Sequence, residues 1–475
     1  MKKIISVLMS MLLVLGLVAC GGKEETASNA EGSVAEEPAA AAEGDIAYDD
    51  LIIRLTTVVT GEDKGTLESL VQKFNREYKG KITVNLEAVG EASFEDTVAK
   101  QLANNNNPPD FIMSHQEGQK SLVDLGLLQP FDSIMELSGI TFDAGEYASQ
   151  LSQYANCGTD QLYSVPSDAQ SVMVLYNKDI LAACGQEALP KNHTEMISLC
   201  QTAKNKGYTP IAWSMSMEQF QSYLFVTALL QNGANLYNEE TYYADWESNG
   251  ENKQAFEDAL KSIRDLTAVS PATSSTADTL KKFLNNEALF YVGLPWNMSS
   301  TLTAYINSNS AELEIANIND LVSHIGGTSL SNWFALDETA AYADTIYGDA
   351  HFFAMTTAVT DVSKQAAICE FIRWFTQNVS VCAEWGETGH ISLYNATTDS
   401  EEYQSNPYIG NYVTQFYPDI DKFQCTGSTP YFKYLRTYLG QVITAALSDS
   451  NTLSDEEILR TNQNKYNEQV DFGGM

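Results

Sequence analysis

Beginning at Leu51, short apolar runs alternate with segments of helical period, and few folds accommodate that order. Leu51-Ile52-Ile53-Arg54-Leu55 reads as a buried strand, and Leu67, Leu70, Val71, Phe74 and Tyr78 follow at helical spacing. Ile82, Val84, Leu86 and Ala88 alternate as a strand. Phe94, Val98 and Leu102 mark a helix stopped by the Asn-rich break before Pro109, and Phe111-Ile112-Met113 is a short strand. Such alternation predicts a parallel sheet with helices on its faces. Ligands of such sheets sit beyond the carboxyl ends of the strands, where Thr60–Lys64 and Ser114–Glu117 form loops.

Farther along, Val172–Tyr176 and Leu289–Val292 read as strands, the second ending in Gly293-Leu294-Pro295-Trp296-Asn297. A helical region surrounds Phe220–Leu230, Phe352–Met355 is a strand, and Ile368, Phe371, Ile372 and Phe375 line one helix face. Trp374 on that helix is therefore expected in the core. Ser454 with Glu457 three residues later predicts a capping box for a last helix.

The chain has 475 residues, 62 Asp and Glu against 27 Lys and Arg, and a formal charge of −35. Binding to nucleic acid or anionic lipid relies on Lys and Arg neutralising phosphates, so nucleic-acid function is excluded as a class. The N-terminus supplies an address. Met1-Lys2-Lys3 precedes the uncharged apolar run Ile4–Val18, too short for a span of ~20 helical residues but suited to a signal peptide. Leu17-Val18-Ala19-Cys20-Gly21 resembles a bacterial lipobox, which implies residues 1–19 as signal peptide and a lipid on Cys20. Residues 20–47, rich in Ala, Glu, Gly and Ser, then read as a flexible acidic linker. That implies a body tethered to the outer face of the cytoplasmic membrane of a Gram-positive cell. The other six cysteines form no C-x-x-C pair and are expected to be mostly buried free thiols.

Taken in order, Pro109-Asp110, Leu122-Val123-Asp124-Leu125-Gly126-Leu127-Leu128-Gln129-Pro130, Tyr163…Pro166…Tyr176-Asn177-Lys178-Asp179 and Gly293…Pro295-Trp296 resemble the bacterial extracellular solute-binding proteins, the family that includes maltose-binding protein. The resemblance covers about residues 50–470. It implies an α/β, two-lobed periplasmic-binding-protein-like fold of type II, each lobe a mixed sheet flanked by helices, with an interlobe ligand cleft. Lobe 1 is expected over 50–167 plus 356–425 and lobe 2 over 171–352 plus 430–475. Crossings are expected near Pro166–Gln170, Phe353–Thr356 and Gln424–Thr429. The implied function is capture of a carbohydrate, of oligosaccharide size, by a monomer that hands it to ABC-transporter permease subunits.

Carried over residue by residue, the resemblance makes Glu62 and Lys64 the charged loop after the first strand, and Glu117 an acceptor of sugar hydroxyls. Gln170 falls where maltose-binding protein has an acidic contact, with Asp168 nearby as a substitute. Trp296 becomes the sugar-stacking ring with Asn297 beside it, and Tyr223 an aromatic contact of the second lobe. Phe352 lies in the segment Gly348–Phe353, which takes the place of the family's Gly-Gly-Trp-like stretch. About 20 residues at Gly326–Tyr347, carrying Trp333, look inserted and bear on the third wall of the site. Trp213 is either a ligand contact or core.

The five histidines lack metal-ligand spacing, so no metal or cofactor is expected, although His115 and His351 are candidates for the cleft. There is no phosphate-binding G-x-x-x-x-G-K-[ST], and Gly327–Ser331 misses the nucleophile-elbow pattern. The expectation is a binder and not an enzyme. Two alternatives stay open: the same fold holding a polyamine or other non-sugar solute, and a surface glycoside hydrolase or lyase using Glu117 and Asp168 as its acid/base pair.

Overall fold

The computed structural model describes residues 46–215, 218–248, 250–417 and 422–473. The expected signal peptide, Cys20 and nearly all of the linker lie outside them. In chain order the strands are β1 (Leu51–Thr57), β2 (Ile82–Ala88), β3 (Phe111–His115), β4 (Leu128–Gln129), β5 (Ser164–Gln170), β6 (Met173–Asn177), β7 (Thr209–Ala212), β8 (Ala288–Gly293), β9 (Ile325–Thr328), β10 (Ile346–Tyr347), β11 (Asp349–Thr356), β12 (Ile391–Ser392) and β13 (Phe423–Gln424). The helix after β1, α1 (Lys64–Glu77), buries Leu67, Leu70, Val71 and Phe74, the stripe that its spacing predicts.

The strands form two main sheets. The larger runs β12-β5-β11-β3-β1-β2, with β4 added to β11. Here β1 is parallel to β2 and β3, while β11 runs antiparallel between β3 and β5. The smaller runs β7-β8-β6-β9, with β7 parallel to β8 and β6 antiparallel to β8 and β9. Both sheets are therefore mixed, and helices cover them. On the larger sheet, Phe371 of the helix Val362–Gln377 packs edge-on against Phe74, Phe111 and Phe353. In the second lobe, Trp246 stacks between Phe256 and Tyr466 of the last helix, whose start is the Ser454–Glu457 capping box.

The chain passes between the sheets at Ser171–Val172 and again just before β11. All eight residues of β11 are buried, and pairing begins at Asp349 with Gln170. This corrects the expected crossing at Phe353–Thr356, because residues 349–352 already belong to the larger sheet; the passage lies at Tyr347–Gly348. There β10 pairs in parallel with β13, and a Cβ on Gly348 would sit 1.6 Å from Cζ of Phe423, so the ring packs only on a bare glycine. The Ser171 hydroxyl donates to the Tyr347 carbonyl (2.6 Å), and the Ser171 N–H donates to the Tyr417 hydroxyl (2.8 Å), which binds the crossing segments together.

The inserted stretch has a structural task. Its first residues belong to β9. The rest is held by the buried carboxamide of Gln231, which donates to the carbonyls of Leu330 (2.9 Å) and Thr345 (2.8 Å) and accepts from the Phe334 N–H (2.8 Å). Trp333 is buried edge-on against Phe290 at 5.3 Å and does not form a cleft wall. Cys157, Cys184, Cys200, Cys369, Cys382 and Cys425 are free and buried. No helix among the described residues is long and apolar enough to cross a membrane.

Candidate functional site

Where the carboxyl ends of β1, β3 and β5 face the turn after β8, a cavity of about 220 Å³ opens between the two lobes. From the larger-sheet lobe it receives Val58–Gly61, Asp63, Glu91, His115, Gln170 and His351; from the other it receives Tyr223 and Trp296. The N-terminal end of β11 reaches this rim because that strand runs against its neighbours. A wider, open hollow of about 660 Å³ near Asp132 and Phe142 lies within one lobe and takes no group from the other.

Trp296 lies against the backbone of Gly61: a Cβ there would be 2.7 Å from Cδ1 of the indole. The absent side chain lets the two lobes approach with the half-buried ring between them. Gln170 is buried on the opposite wall, and its Oε1 has no hydrogen-bond donor. Tyr223, from the same lobe as Trp296, is buried, its ring 5.2 Å from that of Tyr347. His115 and His351 line the cavity, as the sequence suggested for both.

Beneath the cavity lies a network of buried charge. His351 Nδ1 is 2.9 Å from Asp168 Oδ1, and Trp385 Nε1 donates to Asp168 Oδ2 at 2.8 Å. Burial alone raises the Asp168 carboxyl, but the neighbouring imidazoles of His351 and His390 outweigh it and hold the group below its ordinary range. His115 Nδ1 is 2.6 Å from Asp349 and Nε2 is 3.5 Å from Glu91, which also pairs with Arg436. Burial disfavours the His115 imidazolium, yet Asp349 and Glu91 prevail and push it up to about 9.

His390 behaves in the opposite way. Its ring stacks on Trp385, with centroids 4.5 Å apart, and burial pushes it down to about 3. Nδ1 is 2.7 Å from the Thr388 hydroxyl, whose proton goes to the Trp385 carbonyl; Nδ1 must therefore be the donor. Nε2 keeps a bare lone pair, has no hydrogen-bond partner, and faces Asp63 Oδ2 at 3.7 Å. Asp63 is itself buried, and its Oδ1 has no donor. Burial is the main reason its carboxyl is pushed up to about 6; Asp168 assists, and His351 and the backbone N–H groups of Asp63 and Lys64 oppose. Asp168, His351 and His390 offer ligand atoms within 4.8 Å of one another. As a cation site the trio is compromised, because both Asp168 oxygens already accept protein hydrogens.

Several expected contacts need correction. Glu117 is fully buried and away from the cavity: one oxygen accepts the Thr426 N–H and hydroxyl, the other the Tyr347 hydroxyl at 3.3 Å. Burial and the nearby Asp349 push its carboxyl up to about 8. It ties the segment after β3 to the segment after β13. Asp168 lies below the cavity floor, so neither member of the suggested acid/base pair lines the cavity. Glu62 is exposed and accepts from Ser300 across the cleft rim, while Lys64 points outward to Glu68 at 3.4 Å. Asn297 leads into the helix Met298–Leu313 without lining the cavity. Phe352 is core, and its neighbour His351 takes the place expected for it. Trp213 is core too, donating Nε1 to the Ser270 carbonyl at 2.8 Å. Sequence reasoning missed Asp63 and Glu91. The only signal for Asp63 was its position next to Glu62 in the first loop.

The Asp63 carboxylate should cost the ligand-free protein stability. A carboxyl raised from 3.8 to about 6 favours folding below its unfolded value, and that advantage fades as pH rises through about 6. Above that pH the cost is on the order of 2–3 kcal/mol. Asp63→Asn should therefore raise the unfolding midpoint, by more at pH 7.5 than at pH 4.5. Denaturant titration of both proteins at the two pH values checks this, and equal or lower stability of the variant at pH 7.5 contradicts it.

The comparisons with known proteins agree with this architecture. A family model, "Bacterial extracellular solute-binding protein", matches residues 60–379. The sn-glycerol-3-phosphate-binding periplasmic protein UgpB of Rhizobium meliloti is 24% identical over 157 residues, 32% of this chain and 36% of that protein. The match thus spans about a third of that relative's length. Among solved structures, the GacH receptor of Streptomyces glaucescens aligns with a TM-score of 0.66 at 14% identity, covering 88% of this chain and 98% of that one. The sugar-binding protein MalE of Xanthomonas citri aligns at 0.65 and 15% identity, covering 89% and 98%. These structures share the two-lobed fold, and with the model match spanning most of its length the chain belongs to the bacterial extracellular solute-binding protein family.

Proposed function

We propose that this protein captures a carbohydrate between its two lobes and delivers it, as a monomer, to the permease subunits of an ABC importer. The observation that carries this reading is the pairing of Trp296 on one wall with the unpartnered acceptors Asp63 Oδ1 and Gln170 Oε1 on the other. A pyranose has C–H faces that cover an aromatic ring and a belt of hydroxyls that donate to such acceptors. The GacH receptor was solved with acarbose and MalE is described as sugar-binding, which supports the same class. A phosphate ester like the one for which UgpB is named does not suit this cavity. Phosphate recognition favours Arg or Lys, and neither lines it among the described residues.

At about 220 Å³ the cavity falls below the ~300–1,000 Å³ usual for ligand sites, so an oligosaccharide requires the lobes to part. The segments at Ser171–Val172, Tyr347–Gly348 and Phe423–Thr426 would form the hinge. They divide lobe 1, near 50–170 plus 349–417, from lobe 2, near 172–347 plus the C-terminal helices. A ligand touching both walls favours the closed form by its differential affinity.

Trp296→Ala tests the platform. If a sugar face covers roughly 50–80 Å² of the ring, burial contributes about 1–2 kcal/mol at ~25 cal/mol/Å². The sugar should be one that raises the melting temperature and is recovered uncleaved; its affinity should then fall on the order of tenfold. Unchanged affinity by calorimetry would remove Trp296 from the site, and cleavage of the sugar would favour a hydrolase. The anchor is a separate part of the reading: Cys20 carries the lipid that holds the body at the outer face of the cytoplasmic membrane, and Cys20→Ser should release it into the medium. Full membrane retention of that variant argues against the anchor.

A further inference from the structure

Almost every buried carboxylate near the cavity has a proton donor or a cation. Asp168 has His351 and Trp385, Asp349 has His115, Glu91 has Arg436 and His115, and Glu117 has Thr426 and Tyr347. Asp63 is different. The backbone N–H groups of Asp63 and Lys64 favour its carboxylate, but the side-chain group facing Oδ2 is Nε2 of His390, a bare lone pair on a ring whose one proton is committed to Thr388. Two acceptors therefore face each other at 3.7 Å with no hydrogen between them, and Asp63 Oδ1 has no donor either. Gln170 Oε1 adds another unfilled acceptor in the same cavity. Lys64, the next residue, is turned away to Glu68, and no Lys or Arg is among the described residues lining the cavity.

A buried acceptor left without a donor is costly, and a buried carboxylate without a cation more so. The site is therefore incomplete at Asp63: the His115 imidazolium in the same cavity is committed to Asp349 and Glu91, and no positively charged side-chain hydrogen donor is paired with the Asp63 carboxylate among the described residues. Hydroxyls supply hydrogens but no charge. An ammonium supplies up to three N–H donors and the missing charge, and the face of the Trp296 indole, lying against Gly61 at the same loop, favours a cation. An anionic ligand would meet Asp63 and Glu91 with no lining Lys or Arg to oppose them.

We propose that the cargo carries a protonated nitrogen: an amino-substituted carbohydrate whose ammonium seats on Asp63 beside Trp296, with phosphorylated and carboxylated sugars excluded. This rests on the carbohydrate reading above and narrows it.

The test is calorimetric titration of the protein at pH 7 with a matched panel. It comprises glucosamine, N-acetylglucosamine, glucose and glucose 6-phosphate, the β-1,4-linked dimers and trimers of the first two, and spermidine as an amine without a sugar. A charged hydrogen bond in place of a neutral one predicts that the free-amine sugars bind about tenfold or more tighter than their acetylated partners. Glucose 6-phosphate should not bind. Asp63→Asn should bring the amine and acetyl forms to within about twofold of each other, mainly by weakening the amine. The wild-type ratio is informative even if the variant folds poorly. Acetylated or unsubstituted sugars binding as well as the amines would overturn the proposal and leave the carbohydrate reading standing. Binding of spermidine alone would keep the ammonium at Asp63 and overturn the carbohydrate reading. No binding by any member of the panel would overturn both.

Discussion

One strand running against its neighbours makes the rest of the site possible. β11 lies antiparallel between β3 and β5, so its first residues meet the last residues of those strands. Asp349 and His351 are thereby carried across more than two hundred positions of sequence to the loops that follow β1 and β3. A parallel strand in that place would present its far end instead. The register shift between His351 and Phe352 completes the arrangement: the histidine lines the cavity while the phenylalanine enters the core.

The charge network beneath the cavity is stable only as a set. Burying an ion without a partner costs several kcal/mol, and breaking a buried pair costs more than the pair contributed. His115 remains an imidazolium because Asp349 and Glu91 surround it, whereas burial, reinforced by His351 and His115, outweighs Asp168 at His390 and drives that ring neutral. Asp63 is the member whose Oδ1 folding leaves without a donor, and on the proposed reading a ligand supplies it. The stability lost there in the free protein can reappear as affinity when a ligand brings the missing hydrogens.

Much of the frame was legible from apolar spacing. The α1 stripe, β3, β8 with its Pro295-Trp296 turn and the Ser454 capping box all follow from local pattern, and local pattern is what sets them. The side-chain assignments within the frame were harder, for physical reasons. A residue on a strand buried on both faces gives no sign of which face it takes, which is why Phe352 was expected at the cleft; Trp213, just after β7, stayed open between ligand contact and core for the same reason. In the first loop, a one-residue difference in phase at the start of α1 decides that Asp63 turns inward while Glu62 and Lys64 turn out. Glu117 and Asp168 are acids of the kind that binds sugars, but their partners Thr426 and Trp385 come from distant segments that no spacing connects to them. Glu91 and Arg436 are likewise paired only by the fold.

A solute touching Trp296 on one lobe and Asp63 on the other should draw the two sheets together about the segments at Ser171, Gly348 and Phe423. Small-angle scattering measures that motion directly. The radius of gyration should be larger for the ligand-free protein and should fall when the protein is saturated with the ligand that raises its melting temperature most. An unchanged radius, with calorimetry on the same sample showing the site full, would contradict the account.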